Sequence, residues 1–545
     1  MNLVATPTQL AICWLILDAS SLAKEPAEAS FDRAAYARFA ADNAGDSARG
    51  RTVFADRERC GCLKCHRVGK EGEKYGPVLD NVGAKLARGH LIEAVLEPSR
   101  QIVEGYRLTV LTLKSGHVLS GLVDSETVAE LALVDANGER AMVSKADIEE
   151  RAFGDTSPMP DNLVAKVSPA EFADLVAYLQ SLRSSGQPTP GSGTIGPIKL
   201  PPGFRATPIV RGLTAATALA VLPDGRVLVC EQTGTLRVVK DDKLLPEPML
   251  VLPVDGYWER GLIGVTVDPQ FVENGWIYVC YVAKEPYPHH VISRFTVQRD
   301  RVAHGSELVL LEGDDQRKLG GKVPAGHQGG ALHFGRDGCL YIGIGEQTAE
   351  LPAQSLNTLQ GKLLRIQRDG TIPADNPFVA QTEGKYRAIW GLGLRNPFTF
   401  AVHPRDGRIL INDVGGSFEE INVGRAGANF GWPTVDHGKP HGDGFMGPIH
   451  TYQQASIAGG AFCPDDVFPL KYRGRYFFMD FVHGWIRTLD PDNSADVRDF
   501  ASGLTRPVDL AFGPQGRLYV LLRDAWVIDD RFEPRTGALL AIDAE

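Results

Sequence analysis

From about residue 200 onward, a short polar turn carrying a glycine is followed repeatedly by an unbroken apolar run. The pattern occurs six times: Asp224-Gly225 before Val227-Leu228-Val229, Asn274-Gly275 before Ile277-Tyr278-Val279, and Asp337-Gly338 before Leu340-Tyr341-Ile342. It recurs at Asp406-Gly407 before Ile409-Leu410-Ile411, Arg473-Gly474 before Tyr476-Phe477-Phe478, and Gln515-Gly516 before Leu518-Tyr519-Val520. Successive glycines are 50, 63, 69, 67 and 42 residues apart. Each interval has room for a four-stranded antiparallel sheet with its loops, and no long helical periodicity interrupts the region. Sheets of this kind bury their faces only against one another, so the repeat predicts an all-β six-bladed propeller over 197–545.

The first third is patterned differently. Apolar spacing of helical period runs through Phe31–Phe39, Gly45–Phe54, Leu86–Leu96 and Ala170–Leu182, predicting a mainly α domain over 24–183. Within it, about 106–151 alternates as strands do: Leu108, Val110, Leu111 and Leu113, a turn at Ser115-Gly116, then Val118, Leu119 and Leu122. The Ser-, Gly- and Pro-rich run 184–196 has nothing to pack and is read as a linker. At the N-terminus, Leu10–Leu17 followed by Ser21-Leu22-Ala23 is read as a signal peptide over 1–23, though no Lys or Arg precedes it. That run is too short to span a bilayer, so the mature chain is expected to have no transmembrane segment and to be periplasmic or otherwise exported.

Composition narrows the class. At 43% hydrophobic and 23% charged residues the chain reads as ordinary globular protein, and its net charge of -10 argues against a nucleic-acid partner. Of eight cysteines, Cys230, Cys280, Cys339 and Cys463 lie in apolar strand-like runs and are expected as buried free thiols rather than a disulfide framework.

Two other cysteines carry chemistry. In Cys62-Leu63-Lys64-Cys65-His66, two thiols three positions apart can each add across a haem vinyl group, and the adjoining histidine can sit beneath the iron. This is the c-type haem attachment pattern. A zinc site would need a second ligand pair, and no second CxxC exists in the chain. For the sixth ligand, Met159 between Pro158 and Pro160 sits on a stiffened loop, whereas Met142 lies in a strand-like run. His66 and Met159 are therefore the expected haem-iron ligands, and His–Met ligation suits electron transfer.

Residues 31–183 resemble a cytochrome c domain type of planctomycete-like bacteria, through CLKCH, Glu97–Ile102, Ser157-Pro158-Met159-Pro160 and the closing helix. The region from Leu200 to the C-terminus resembles the soluble glucose/sorbosone (aldose sugar) dehydrogenases. Leu200–Phe204, Glu259–Gly264, His327–Gly330, Leu359–Arg365, Gly370–Phe378, Arg395-Asn396-Pro397 and Asn429–Pro433 follow that family's pattern. The resemblance implies a propeller that binds pyrroloquinoline quinone (PQQ) and calcium and oxidises a sugar or related alcohol. It implies His327 as general base, Glu346 as the group that orients it, and Arg395, assisted by Asn396, as stabiliser of charge on the quinone. Glu259 falls at a substrate-contacting position, and the carbonyls of Gly415 and Gly416 at the calcium.

Three departures from the family accompany these matches. Gly326 replaces an Asp before the histidine. Cys463 and His483 stand where the lysine and an arginine that grip the cofactor carboxylates are expected, leaving Arg487, Lys471 or Arg473 to compensate. The leading expectation is a periplasmic quinohaemoprotein dehydrogenase passing electrons to its own haem c and on to an external redox acceptor such as another cytochrome. The alternatives are a carbohydrate-binding or scaffold propeller without PQQ, and a calcium-dependent lactonase-like hydrolase.

Overall fold

The six turn signals each become the link between the first two strands of one sheet. The computed structural model describes residues 32–182, 195 and 197–545, apart from 74, 81, 87, 101, 103–105, 136–137, 155, 322–324, 417, 436–443, 454–455 and 524–535. The signal-peptide reading of 1–23 and nearly all of the linker 184–196 lie outside the described residues.

Each blade begins with an inner strand: Ala216–Val221, Leu262–Val267, Gly329–Phe334, Pro397–Val402, Ile457–Phe462 and Pro507–Phe512. Three further antiparallel positions follow outward in every blade, with the outer one divided in the first blade between Lys243–Leu244 and Leu250–Val251 and in the second between Arg301–Val302 and Leu308–Glu312. The sixth blade takes its outer strand, Phe204–Leu213, from the start of the propeller, pairing it with Gly537–Ala544 and closing the ring. Inner strands of successive blades face one another, and the sixth returns to the first.

Strands in such a ring are covered on both faces, which explains why they read as continuous apolar runs. All five residues of Val227–Glu231 and of Leu518–Leu522 are buried. One apolar cluster fills each of the six gaps. Leu228 and Val279 lie between the first two blades, Tyr278 and Ile342 in the next gap, and Phe400 and Leu363 in the third. At about 1.5–3 kcal/mol per buried side chain, these gaps dominate the stability of the ring. Cys230, Cys280, Cys339 and Cys463 are all buried and unlinked, as expected.

The N-terminal unit has five helices among its described residues: α1 (Arg33–Asp42), α2 (Ser47–Ala55), α3 (Val82–Lys85), α4 (Arg88–Leu96) and α5 (Pro169–Ser181). Helix α5 starts where the sequence dictates, because Ser168 and Glu171 form a reciprocal capping box with Pro169 at the first turn. Phe54, Leu91, Leu96, Phe172 and Leu179 make the core these helices share. The alternating insert becomes a five-stranded sheet in the order Arg140–Ser144, Glu130–Val134, Val118–Glu126, Thr109–Leu113, Ile148–Phe153, with its own small core of Leu111, Leu131, Leu133 and Val143. No helix of the described residues is long and apolar enough to cross a membrane.

Candidate active site

In a four-stranded blade, the link between its second and third strands and the link into the next blade emerge at the same end. The six glycine turns occupy the opposite end. Glu259, His327, Arg395 with Asn396, and Arg506 lie on links between blades. Gln232, Glu346, Gly415 with Gly416, His483 and Arg523 lie on links between second and third strands. Topology alone therefore gathers the expected residues at one end of the ring.

Hydrogen bonds tie several of them into one constellation. His327 Nδ1 lies 2.6 Å from Glu346 Oε1, and the Glu346 carboxylate is fully buried. An ionised carboxylate only accepts, so Nδ1 carries the proton and Nε2 keeps a lone pair. Burial, reinforced by Arg395, holds His327 below its ordinary pKa despite the opposing pull of Glu346. Burial pushes Glu346 upward, but His327, the Glu350 amide and Arg395 outweigh it and leave it below its ordinary range. A neutral imidazole beside an anionic carboxylate is the outcome near pH 7. His327 has a φ of +51°, an uncommon conformation for a residue with a side chain, and Gln347, Thr348 and Glu350 beside it share positive φ.

Arg395 is held by its backbone and its head. Its amide donates to Asp413 Oδ2 at 3.0 Å, its Nη1 to the Val414 carbonyl at 2.7 Å, and its carbonyl accepts from Glu346 N at 2.9 Å. Asn396 is buried, donates its amide to Asp413 Oδ1 at 2.6 Å and accepts from Gly329 N at 3.1 Å. Asp413 thus fixes both members of the Arg-Asn pair. Glu259 is exposed, with its amide donating to the Ala325 carbonyl. Arg260 beside it is buried and bonded to Asp255 and Gln316, which makes it a loop strut. Gly415 is buried and Gly416 exposed on the adjoining loop. No cluster of three or more His, Cys, Asp or Glu with metal-holding geometry occurs among the described residues, and backbone carbonyls would need none.

Three sequence expectations require correction. Cys463 follows the inner strand Ile457–Phe462, which runs away from the His327 end at about 3.3 Å per residue. It is therefore roughly 20 Å away at the opposite end, buried with Phe468 and Tyr472, and does not stand in place of a cofactor-gripping lysine. Lys471 and Arg473 lead into the glycine turn at that same far end. Arg487 is committed elsewhere, to Asp499 at 2.9 Å and to the carbonyl of Glu126 at 3.0 Å. His483, by contrast, does lie on a link at the His327 end.

Sequence reading missed Gln232 and Arg523. Arg523 donates to the carbonyls of Ala215 and Ala216 and to Gln232 Oε1, while Gln232 Nε2 donates to Trp258 O at 2.7 Å, one residue from Glu259. Burial draws the Arg523 guanidinium down to about 10, with Glu259 pulling it up and Arg506 down. Both residues immediately follow the second strand of their blade, close to where Glu346 sits in the third. Aligning the six repeats against each other would have found them.

In the N-terminal unit, Cys62 and Cys65 frame a short 3-10 turn, with His66 N donating to Cys62 O at 2.9 Å. His66 Nδ1 lies 2.8 Å from the Pro77 carbonyl, so that nitrogen donates and Nε2 keeps its lone pair. The ring approaches Gly76 so closely that a Cβ there would lie 2.7 Å from it. Met159 and Cys62 both pack against the helical core, and the Met159 amide is fixed by Ser157 Oγ at 3.2 Å. Met142 lies in the strand Arg140–Ser144 and is 52% exposed, as a strand residue outside the site should be.

Residues 213–526 match the family described as Glucose / Sorbosone dehydrogenase. Aldose sugar dehydrogenase YliI of Escherichia coli is 29% identical over 332 residues, covering 56% of this chain and 86% of that protein. Quinoprotein glucose dehydrogenase B of Acinetobacter calcoaceticus is 30% identical over 260 residues, 42% of this chain and 52% of its own. The crystal structure of the soluble aldose sugar dehydrogenase from E. coli, in its apo form, aligns with a TM-score of 0.55 at 26% identity, covering 63% of this chain and all of that one. With more than half its length matched and six blades arranged around His327, Glu346 and Arg395, the chain belongs to the glucose/sorbosone dehydrogenase family.

Proposed function

We propose that the protein is an exported quinohaemoprotein dehydrogenase that oxidises an aldose sugar or related alcohol and delivers the electrons through its own c-type haem to an external redox acceptor. The His327–Glu346 bond carries the reading, because it supplies a neutral, oriented base at the end of the ring where cationic groups gather. The quinoprotein and aldose dehydrogenase names of the relatives point the same way.

The residues fit a tricarboxylate cofactor in charge: Arg395, Arg506 and Arg523 lie on links at one end, with Glu259 and Glu346 as counter-charges. PQQ, when bound, supplies the two-electron acceptor. The rest is done by the chain. His327 Nε2 takes the proton of the substrate hydroxyl, and Glu346 holds the ring in that tautomer and stabilises the imidazolium that forms. Arg395, fixed by Asp413 and Val414, opposes the negative charge that develops beside it. Asn396 holds the Gly329 amide and so the backbone next to His327, and Glu259 at the rim meets substrate hydroxyls. The carbonyls of Gly415 and Gly416 offer the hard oxygen donors that calcium prefers.

The N-terminal residues fit haem equally well: two thiols, an imidazole with Nε2 left unprotonated by its Pro77 bond, and a methionine on the same core. Cys62 and Cys65 would anchor the haem covalently, and His66 and Met159 would hold its iron. The test is addition of PQQ and calcium to haem-loaded protein, followed by an aldose screen that monitors haem reduction. Sugar-dependent reduction supports the reading. PQQ uptake failing with every preparation would instead favour a carbohydrate-binding or hydrolytic propeller.

A further inference from the structure

The insert sheet is the part of the chain that neither the haem motif nor the propeller family accounts for. Its hairpin of Val118–Glu126 and Glu130–Val134 ends in a tight turn whose tip reaches the fifth blade. There the Val128 amide donates to Asp499 Oδ2 at 3.3 Å, and Arg487 Nη2 donates to the carbonyl of Glu126 at 3.0 Å. Arg487 and Asp499 are cross-strand partners, joined through Nε and Oδ1 at 2.9 Å. The Arg487 guanidinium also lies 4.0 Å from the Trp485 ring centroid, so the Asp499 pair and this ring hold its head from within the blade. On the insert side, the buried Glu126 carboxylate is neutralised within its own sheet by Lys145 at 2.5 Å and Arg151 at 3.2 Å. That pairing leaves the Glu126 carbonyl as the acceptor presented to the propeller.

The contact lies at a particular end. Arg487 is the third of six residues in Trp485–Asp490, in the half of that strand nearer the His483 link, and the Glu126 carboxylate interacts with His483 on that link at the His327 end. In a ring of six the fifth blade stands opposite the second, whose outgoing link carries His327. A second point of approach lies next door, where Tyr106, at the start of the insert, interacts with Arg506 on the link into the sixth blade. The Arg506 carbonyl in turn accepts from the amide of Arg523 at 3.0 Å.

We propose that the insert of residues 106–153 is a docking module that seats the N-terminal unit on the ligand end of the propeller, across the channel mouth from His327, through the Glu126–Arg487–Asp499–Val128 contact. The partner of that face is then the chain's own N-terminal unit. The consequence for electron delivery rests on the haem relay proposed above, whereas the docking itself does not.

Amide hydrogen exchange on the full-length chain tests the docking directly. Val128 sits in an exposed turn where its amide meets only Asp499, so protection of that amide reports the contact. It is expected to be protected in the wild type and to exchange at least about tenfold faster in Asp499→Ala, with propeller amides unchanged. Val128→Pro, which removes the donor at a turn position that suits proline, is expected to enlarge the radius of gyration in small-angle X-ray scattering. An unprotected Val128 amide in the wild type, or wild-type scattering from two bodies on a free tether, would overturn the proposal. Docking also predicts that Asp499→Ala slows sugar-driven haem reduction at least several-fold while turnover with a small soluble acceptor is unchanged. Protection of Val128 without any sugar-driven haem reduction in the wild type would instead refute the relay and leave the docking standing.

Discussion

Replacing Glu346 with Gln isolates the contribution of one proton's position. The substitution keeps the shape of a fully buried side chain but removes its charge. Glu346 accepts from two donors, His327 Nδ1 and the Glu350 amide. A glutamine has one carbonyl oxygen, so its amide group must face one of them. Facing His327, it donates to Nδ1 and moves the ring proton to Nε2, the atom that should act as base. Facing Glu350, it sets donor against donor at a cost of about 1–3 kcal/mol, the penalty for an unmet buried group. Either way the base is disabled or mispositioned. Disrupting an oriented imidazole by such a swap costs roughly 10²–10⁴-fold, or about 3–5 kcal/mol of transition-state stabilisation.

The pH profile gives an independent sign. Glu346 raises the pKa of His327 against burial and Arg395, so its loss should move the acid limb of kcat/KM further down while the plateau falls. A general loss of structure would not move the limb in that direction. The assay is steady-state oxidation of an aldose with a soluble acceptor after loading with PQQ and calcium, with calorimetry and PQQ binding as controls for folding and site integrity. If Glu346→Gln retains more than about a tenth of wild-type kcat/KM at every pH, orientation of His327 by Glu346 is not what the site depends on.

Other predictions follow from buried groups. Lys362 is fully buried and its Nζ donates to the carbonyls of Pro352, Ala353 and Gln360, pinning the loop that follows Glu346; Lys362→Met should destabilise the protein by about 1–3 kcal/mol, and a denaturation midpoint equal to wild type would contradict this. Burial holds His290, His333 and His450 at about 4, so the stability they contribute is complete above pH 6.5 and lost as pH falls through 4, about 3 kcal/mol each. Burial raises Asp509 to about 7, an opposite contribution that grows as pH falls and offsets about 4 kcal/mol; urea titrations should therefore show a net loss on the order of 5 kcal/mol between pH 6.5 and 4, and a flat profile would refute the balance. Cys62→Ser with Cys65→Ser should leave any haem extractable by acid solvent, and haem that stayed with the chain would place its attachment elsewhere. Met159→Ala should lower the haem reduction potential, and an unchanged potential would assign the sixth position to another group.

The two ends of the propeller were not equally legible. The far end was plain because each turn there needs a residue at positive φ, and Gly225, Gly275, Gly338, Gly407, Gly474 and Gly516 all adopt it, between +66° and +88°. A backbone requirement that only one residue type meets without strain leaves a readable mark. At the opposite end, His327, Glu346 and Arg395 were recognisable from motifs, whereas Gln232 and Arg523 required the register of the repeats. Misjudging that register also sent Cys463 to the wrong end, since a single inner strand spans the whole blade. The docking contact was illegible for a deeper reason. Its insert side is made of the carbonyl of Glu126 and the amide of Val128, groups that nearly every residue carries, so most substitutions at 128 would preserve the bond. Only the partners Arg487 and Asp499 identify themselves by type, and in sequence they resemble an ordinary cross-strand ion pair on a blade. Surfaces built from backbone on one side and from a structurally plausible pair on the other become visible only when both are placed in space. That is why Val128→Pro, which acts on the backbone, is a sharper probe of the contact than any change to the Val128 side chain.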